Sequence, residues 1–245
     1  MSQLIVKNIT KSFHKKTVLG NLSFTVDDGE FVSLLGPSGS GKSTLFHLIG
    51  GMYEPDSGDF YLDGEKITGK RGSISYTPQS PSLFPWRTIL KNVILVNELF
   101  GKPDEQEARA MLEKAGLAGY ENAYPHQLSG GMRQRVAFVR SLLSPQSFIC
   151  LDEPFSALDE FTRLEMQKWL LDIWGQNRRS ILFVTHSIEE AILLSDRIIV
   201  LSSNPATVKR EFKIPFPRPR EEAILLTEEF LRWKKEIYQE LKVLQ

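Results

Sequence analysis

The sequence has little of three features that define large classes of protein. It has one cysteine, Cys150, so it cannot form an internal disulfide, and this favours a reducing compartment. It has no excess of charge, because 30 Lys and Arg residues balance 30 Asp and Glu residues, which argues against a nucleic-acid partner. No apolar run approaches the roughly 18 residues of a membrane span, and the first residues lack a signal-peptide apolar region. We expect a soluble or peripheral chain that needs a partner for any role in a membrane.

Short β-type segments are abundant in the first third of the sequence. Runs of β-branched and aromatic residues occupy the region 4–76, where Asp28-Gly29 and Asp63-Gly64 predict two hairpins and hence an antiparallel patch. Three apolar runs are typical of buried parallel strands, because each ends at polar residues and precedes a helical pattern. These runs are FVSLLG, FICLD and SILFVTH. The prediction is an α/β fold with a parallel core sheet and an N-terminal antiparallel β subdomain.

The helical patterns are concentrated in the middle of the chain and at its end. Between about Pro81 and Leu143 they predict a helical insert, at about 81–143, within an α/β domain of residues 1–215. The proline-rich IPFPRPR predicts an extended connector, which together with a final amphipathic helix makes up residues 216–245. We expect the apolar stripe of that helix to pack on the chain's own domain. The stripe consists of Leu226, Phe230, Trp233, Ile237, Leu241 and Leu244.

The segment GPSGSGKST matches the phosphate-binding pattern G-x-x-x-x-G-K-[ST] and lies between a predicted strand and a predicted helix. Backbone N–H groups of such a turn can surround a β-phosphate, Lys42 can reach the β- and γ-phosphates, and the Ser43 hydroxyl can bind Mg²⁺. A flexible glycine turn is the alternative, although a chance match is on the order of one in a hundred for a chain this long. The predicted nucleotide-binding residues are Gly36, Pro37, Ser38, Gly39, Ser40, Gly41, Lys42, Ser43 and Thr44.

Two acids follow the buried run in FICLDEP. Asp152 is placed to hold Mg²⁺ through water, and Glu153 is placed to polarise an attacking water. Acids at a strand end can also be merely solvated, but the phosphate-binding pattern upstream favours the catalytic interpretation.

One of the four histidines stands apart. His186 ends the run SILFVT, so it is predicted to lie at the same sheet edge as Gly36 and Asp152, where ligands gather in parallel sheets. Gln79 also follows a strand-like run, although alone it would be an ordinary loop glutamine. The other histidines are predicted to be structural or solvent-facing: His14, His47 and His126.

A second anion-seeking helix start occurs in LSGGMRQR, residues 128–135, where a serine cap and two glycines precede an amphipathic run. This segment, together with GPSGSGKST, Gln79, FICLDEP, SALD and His186, resembles the ATP-binding subunit of an ABC transporter over roughly residues 2–215. The resemblance implies an ABC-type P-loop ATPase that uses ATP and Mg²⁺, with Gln79 sensing Mg²⁺ and the attacking water. It implies that His186 contacts the γ-phosphate and that Phe13 stacks on adenine, a strand-core role being the alternative for Phe13.

The family resemblance also explains why one chain carries two anion-binding helix starts. It implies a head-to-tail homodimer in which Ser129, Gly130 and Gly131 of one chain contact the ATP held by the other chain's phosphate loop. The SALD segment resembles the loop whose Asp159 crosses to the other subunit. The LSGGMRQR segment, residues 128–135, corresponds to the signature of this family. The commonest form of the signature has a glutamine where this chain has Met132, which leaves the serine and glycine contacts intact but removes any glutamine-mediated ribose contact.

Further segments resemble the nitrate, sulfonate and taurine import subgroup, whose relatives also carry thiamine-precursor pyrimidines. These segments are LFPWRTILKNV, YPHQLSGGMRQRVAFVRSL and PFPRPR. The implied protein energises import of a small solute from the cytoplasmic face of the cell membrane. Its partners would be two integral membrane permease subunits and, indirectly, a solute-binding protein. A soluble, non-transport ABC ATPase and a phosphate-loop kinase are the alternatives, and the kinase would leave LSGGMRQR unexplained.

Overall fold

Two β-sheets form the framework of the protein. The computed structural model describes residues 2–101, 103–176, 178–203 and 205–242. The antiparallel sheet has the order β2-β1-β4-β5, and the mixed sheet has the order β10-β9-β3-β8-β7-β6, in which only β10 runs antiparallel to its neighbour. The strands are β1 (Leu4–Phe13), β2 (Lys16–Val26), β3 (Phe31–Leu35), β4 (Ser57–Leu62), β5 (Glu65–Lys66), β6 (Ser75–Thr77), β7 (Phe148–Asp152), β8 (Ser180–Val184), β9 (Arg197–Leu201) and β10 (Val208–Lys213).

Helices cover and extend the mixed sheet. The three predicted apolar runs are β3, β7 and β8, which are buried along their whole length, as expected for strands covered on both faces. No helix in the described ranges is long and apolar enough to cross a membrane. The helices are α1 (Lys42–Ile49), α2 (Ile89–Val93), α3 (Leu95–Leu99), α4 (Glu105–Lys114), α5 (Gly130–Leu142), α6 (Glu160–Gln176), α7 (Ile188–Leu194) and α8 (Glu228–Lys242), with 3₁₀ turns at Pro125–Gln127 and Glu222–Leu226.

One of the two predicted hairpins is wrong. Asp63-Gly64 does join the paired strands β4 and β5, but Asp28-Gly29 leads from β2 in the antiparallel sheet to β3 in the mixed sheet. The turn is fixed to β8 instead, because Gly29 N donates to Ser180 Oγ at 2.9 Å. β3 cannot extend the antiparallel sheet, since β8 and β9 pair with both of its edges.

The antiparallel patch is consequently smaller than the predicted region 4–76. It comprises the strands at 4–26 and 57–66, while 31–35 and 75–77 pair in the mixed sheet. Its first hairpin turns at His14-Lys15, where both residues have positive φ, 47° and 67°. This turn was not predicted because neither residue is the glycine or asparagine that usually takes this conformation.

The helices between residues 89 and 142 share an apolar cluster of their own. It is built around Leu90 of α2, Leu112 of α4 and Val136 of α5, apart from the two clusters that join β3, β7 and β8 to their covering helices. Helices therefore occupy the region predicted to be an insert, while the exact domain boundaries, 1–215 and 216–245, stay predictions.

The C-terminal helix packs on its own chain, as predicted. Phe230 and Ile237 are buried, and Trp233 and Leu241 are partly buried, in a cluster with residues of α7, β9 and β10. Leu226 does not belong to the stripe: it ends a separate 3₁₀ turn and is 88% exposed. Leu244 lies outside the described residues.

Candidate active site

The phosphate loop, residues 36–41, joins the buried end of β3 to the first residue of α1, Lys42. Lys42 Nζ donates to the carbonyls of Gly36 and Pro37, both at 2.9 Å, and to Ser40 Oγ at 3.2 Å. Burial lowers the pKa of Lys42, while the carboxylates of Glu153 and Asp152 act in the opposite direction. The loop thus holds a partly buried cation close to two acids.

Glycine is required at the end of the loop. Gly41 has a φ of 85°, and a Cβ there would lie 2.8 Å from side-chain atoms of both Val18 and Leu19. Only a residue without a side chain allows the loop to pass this close to β2 while turning into α1. The antiparallel sheet and the phosphate loop are therefore in direct contact.

Asp152 lies beside α1 at the carboxyl end of β7. The Ser43 hydroxyl is close enough to influence the pKa of its carboxyl, and Tyr76 Oη donates to its Oδ2 at 3.5 Å. Burial raises the pKa of Asp152, and the nearby Ser43 hydroxyl opposes that shift. The structure therefore pairs the two residues that the sequence assigned to Mg²⁺, Ser43 and Asp152.

Glu153 is in contact with both of the other predicted catalytic side chains. Gln79 Nε2 donates to Glu153 Oε2 at 3.1 Å, and His186 Nδ1 lies 3.4 Å from the same oxygen. The three residues follow β6, β7 and β8, which are neighbours in the parallel part of the sheet, so their strand ends meet at one edge.

The backbone of Glu153 is in the left-handed region, with a φ of 47°. This conformation is unfavourable for a residue with a side chain and persists where the surroundings enforce it. Here the amide of Glu153 donates to the carbonyl of Val184 at 2.9 Å, which ties the turn after β7 to β8. The strained turn directs the carboxylate toward Gln79 and His186.

A chain of aromatic rings connects Phe13 to Asp152. Edge-to-face contacts join Phe13 to Tyr53 at 5.8 Å, Tyr53 to His47 at 5.4 Å, and His47 to Tyr76 at 5.9 Å between ring centroids. Phe13 is 37% exposed and lies outside the apolar clusters, so the strand-core alternative is wrong. Sequence reasoning missed Tyr76, because nothing in the run SISYT distinguishes it from an ordinary strand tyrosine.

The signature, residues 128–135, contains the start of α5. Ser129 is exposed and caps the helix, its Oγ accepting from Met132 N at 3.2 Å. Gly130 has open space where a Cβ would stand, whereas a Cβ on Gly131 would lie 3.0 Å from Leu158. Across the described ranges, no hydrogen bond or ion pair joins residues 129–131 to the phosphate loop of the same chain.

The SALD loop, residues 156–159, lies between Glu153 and α6. Ser156 Oγ donates to the carbonyl of Glu153 at 2.9 Å, which attaches the start of the loop to the site. Asp159 is exposed and caps α6, its Oδ1 accepting from Thr162 N at 3.1 Å; the Thr162 side chain, followed by this backbone bond, lowers the pKa of Asp159. One end of the loop is thus fixed at Glu153 and the other at the helix.

A separate cleft of about 940 Å³ lies between α6 and the connector. Its lining carries both signs of charge, for example Lys168 and Arg178 against Glu165 and Asp172. No predicted site residue is among the described residues that line it. The candidate active site is instead the group of side chains at the carboxyl edge of the mixed sheet.

Known proteins share both the motifs and the fold. Residues 19–156 match the ABC transporter family. An aliphatic sulfonates import ATP-binding protein of Bacillus cereus is 39% identical over 97% of this chain and 95% of its own length. A formylaminopyrimidine import ATP-binding protein of Halalkalibacterium halodurans is 45% identical over 81% of this chain and 78% of its own length. A solved dimeric ATP-binding cassette, in a post-hydrolysis state bound to ADP and Pi, superposes with a TM-score of 0.77 at 32% identity, covering 87% of this chain and all of that one. The resemblance seen in the motifs is confirmed, and the chain belongs to the ABC transporter family.

Proposed function

We propose that this protein is the ATP-hydrolysing subunit of an ABC importer and that it drives uptake of a small solute. The observation that carries the proposal is the position of the Glu153 carboxylate, in contact with Gln79 and His186 and close enough to Lys42 to influence its pKa. Relatives named as import ATP-binding proteins, for sulfonates and for formylaminopyrimidine, support import as the process.

The phosphate loop binds the nucleotide in this proposal. Its backbone amides surround the β-phosphate, and Lys42 exchanges its contacts with the loop carbonyls for the β- and γ-phosphates. Phe13, exposed at the end of β1, stacks on the adenine. The residues Gly36 to Thr44 thus bind the phosphates, while the antiparallel sheet binds the base.

Mg²⁺ fits the donors beside the loop. Ser43 and Asp152 offer a hydroxyl and a carboxylate oxygen close to each other, and Gln79 adds an amide oxygen; hard oxygen donors of this kind suit Mg²⁺. When bound, the ion neutralises charge on the β- and γ-phosphates. Asp152 is oriented for this role by Ser43 and Tyr76.

Glu153 acts as the general base. Its carboxylate accepts a proton from the attacking water, Gln79 orients that water, and His186 contacts the γ-phosphate. The hydrogen bond from Gln79 and the contact with His186 hold the carboxylate in place before the nucleotide binds.

Ser129, Gly130 and Gly131 complete the site of a second copy of the chain. The exposed serine and the open space at Gly130 allow phosphate oxygens of an ATP held by the partner to approach the start of α5. Asp159 crosses to the other subunit from its exposed position. ATP, with its third phosphate, bridges the two surfaces, so hydrolysis releases the dimer.

The direct test is the substitution Glu153→Gln. The variant should bind MgATP but hydrolyse it about 10²–10⁴-fold more slowly, because an amide cannot accept the proton. It should also accumulate as an ATP-dependent dimer in size-exclusion chromatography. Glu165→Gln, an exposed glutamate on α6, is the control. Wild-type turnover by purified Glu153→Gln would remove Glu153 from this role.

The permease contact is proposed to be the exposed aromatic surface that follows Gln79. Trp86 is 71% exposed, and its ring lies 5.1 Å from that of the exposed Phe84. The two permease subunits dock on this surface of the two chains of the dimer, at the cytoplasmic face of the membrane. The solute-binding protein acts through the permease subunits. Large exposed aromatic side chains are typical of interfaces.

Trp86→Ala should weaken recovery of the permease while leaving ATP affinity unchanged. The measurement is affinity purification of the tagged chain from detergent-solubilised membranes of its own organism. Tyr238→Ala, which removes an exposed aromatic ring from α8, should recover the permease as the wild type does. Recovery of no integral membrane protein by the wild type would favour the non-transport ABC ATPase.

A further inference from the structure

A buried carboxylate lies behind His186. Glu190 of α7 accepts a hydrogen bond from the Thr185 hydroxyl and one from Gln167 Nε2 at 3.1 Å. Thr185 Oγ1 also accepts from the amide of Ser187 at 3.0 Å. Glu190 therefore holds the residues on both sides of His186 through the single hydroxyl of Thr185.

Arg163 of α6 connects the same carboxylate to the SALD loop. Its Nη2 donates to the carbonyl of Leu158 at 2.9 Å, inside that loop. Its Nε lies 3.8 Å from Glu190 Oε1 and, within the described part of the chain, this buried nitrogen has no hydrogen-bond partner. Arg163 thus contacts the SALD loop on one side and lies beside Glu190, which holds the backbone around His186, on the other.

The contact between the two charged groups is incomplete. A charge-assisted N–H···O bond is about 2.7–2.9 Å long, so the observed separation exceeds it by about 1 Å. Burial raises the pKa of Glu190, whereas the Thr185 hydrogen bond and the Arg163 charge lower it. The Glu190 carboxylate already accepts two hydrogen bonds, whereas the buried Nε of Arg163 has none among the described residues, and a small movement of Arg163 toward Glu190 would give that nitrogen a partner.

We propose that Arg163 and Glu190 are positioning residues that transmit docking of the SALD loop against a second subunit to His186. Displacement of the Leu158 carbonyl moves Arg163 onto Glu190, and Glu190, through Thr185, fixes His186 where it meets the γ-phosphate. The inference rests on the proposed function, because it takes the SALD loop as the intersubunit loop and His186 as the γ-phosphate contact. It would make hydrolysis depend on a closed dimer.

A double-mutant cycle of Glu190→Gln and Arg163→Gln tests this coupling. Each single variant should lower kcat about tenfold with the KM for MgATP within about twofold of wild type, and the double variant should lose no more than either single one. Rates are measured well below the unfolding temperature of every variant. Glu189→Gln, the exposed neighbour on α7 that pairs with Lys234, should have wild-type kcat.

A merely structural role predicts a different pattern. Lowered unfolding temperatures with wild-type kcat, or losses in kcat that multiply in the double variant, would overturn the inference. If Glu190→Gln does not fold, Arg163→Lys carries the same expectation for kcat, because it keeps the charge but loses the two-sided guanidinium contact. A wild-type chain without ATPase activity would instead contradict the proposed function itself, so the two failures are distinguishable.

Discussion

At the scale of single residues, the candidate active site combines groups whose ionisation is unfavourable to folding with groups whose backbone is strained. Asp152 is held buried with its pKa raised, and Glu153 adopts a left-handed φ of 47°. Both features place an acid against α1 or against His186 at a cost in stability, as is common in sites selected for activity.

Asp152→Asn should reveal that cost. A carboxyl whose pKa is raised by folding binds its proton more tightly in the folded state, so its contribution to stability falls as the pH rises from the unfolded-state pKa through the folded-state pKa. The asparagine variant should melt above wild type near about pH 8, and the difference should shrink as the pH falls toward about 4.

Asp159→Asn provides the control of opposite sign. The hydrogen bond from Thr162 lowers the pKa of Asp159, so its carboxylate contributes stability above the unfolded-state pKa and loses it as pH falls. Melting curves across the same pH range compare the two variants. An Asp152→Asn protein that melts below wild type at alkaline pH would contradict the assignment.

At the scale of elements, the sequence predicts strand identity better than strand pairing. Continuous apolar runs that end at polar residues correctly placed β3, β7 and β8, and with them Gly36, Asp152 and His186. The hairpin predicted at Asp28-Gly29 is wrong, because the same local turn can join two paired strands or connect two different sheets. Which of the two occurs depends on the partners of β3, and no local pattern contains that information.

The contacts between site residues that lie far apart in the sequence could not be predicted from local sequence patterns either. Tyr76 meets Asp152 across 76 positions of sequence, and Arg163 meets Glu190 only because α6 and α7 cover the same sheet. Leu226 was assigned to the final helix because the helical spacing continues through it. The chain instead forms a 3₁₀ turn there, before Thr227 caps a new helix by accepting from Phe230 N.

The last helix, α8, offers a matched pair of substitutions. Ile237 is fully buried against the α7 and β10 side of the molecule, so Ile237→Ala should lower the free energy of unfolding by about 2–5 kcal/mol. Leu231, exposed on the same helix, should change it by less than about 0.5 kcal/mol when replaced by alanine. Denaturant titration measures the free energy of unfolding of both variants. A loss for Ile237→Ala as small as that for Leu231→Ala would mean that α8 does not contribute to the folded core.

The connector before α8 is fastened by arginines in addition to the apolar packing of Ile214 and Phe216. Arg220 Nη1 donates to the carbonyls of Ile192 and Ser195 at 2.7 and 2.6 Å, at the end of α7. Arg218 Nε donates to Asp196 Oδ1 at 2.8 Å. The Arg220 bonds satisfy carbonyls that a helix end leaves unpaired, and both arginines hold the extended segment against the domain.

At the scale of the whole molecule, the proposed head-to-tail dimer requires that each chain contribute to two different ATP sites, its phosphate loop to one and residues 129–131 to the other. A mixture of Lys42→Ala and Ser129→Arg chains tests this arrangement. In a head-to-tail dimer the intact signature of the first variant completes the intact phosphate loop of the second, so the mixture should hydrolyse more ATP than the two variants do separately. Each variant alone should be nearly inactive, and Ser129→Arg should still bind nucleotide.

A structure of the Glu153→Gln dimer with ATP gives the decisive geometry. Ser129 should lie beside the γ-phosphate bound by the other chain's Lys42. Finding it beside the γ-phosphate of its own chain would contradict the trans arrangement, whatever the mixture shows.

The burial of Cys150 has a practical consequence for such experiments. Its thiol lies inside β7 with no exposed surface, and burial raises its pKa well above the usual range, so thiol reagents meet neither an accessible sulfur nor a thiolate. Thiol-specific labels should therefore not react with the folded wild-type chain. Ser38→Cys and Ser129→Cys each introduce one reachable thiol, and a short bismaleimide should join these two variants to each other when they are mixed with ATP in the Glu153→Gln background. The protein can thus report its own pairing geometry with fluorophores, spin labels or cross-linkers without any native cysteine being removed.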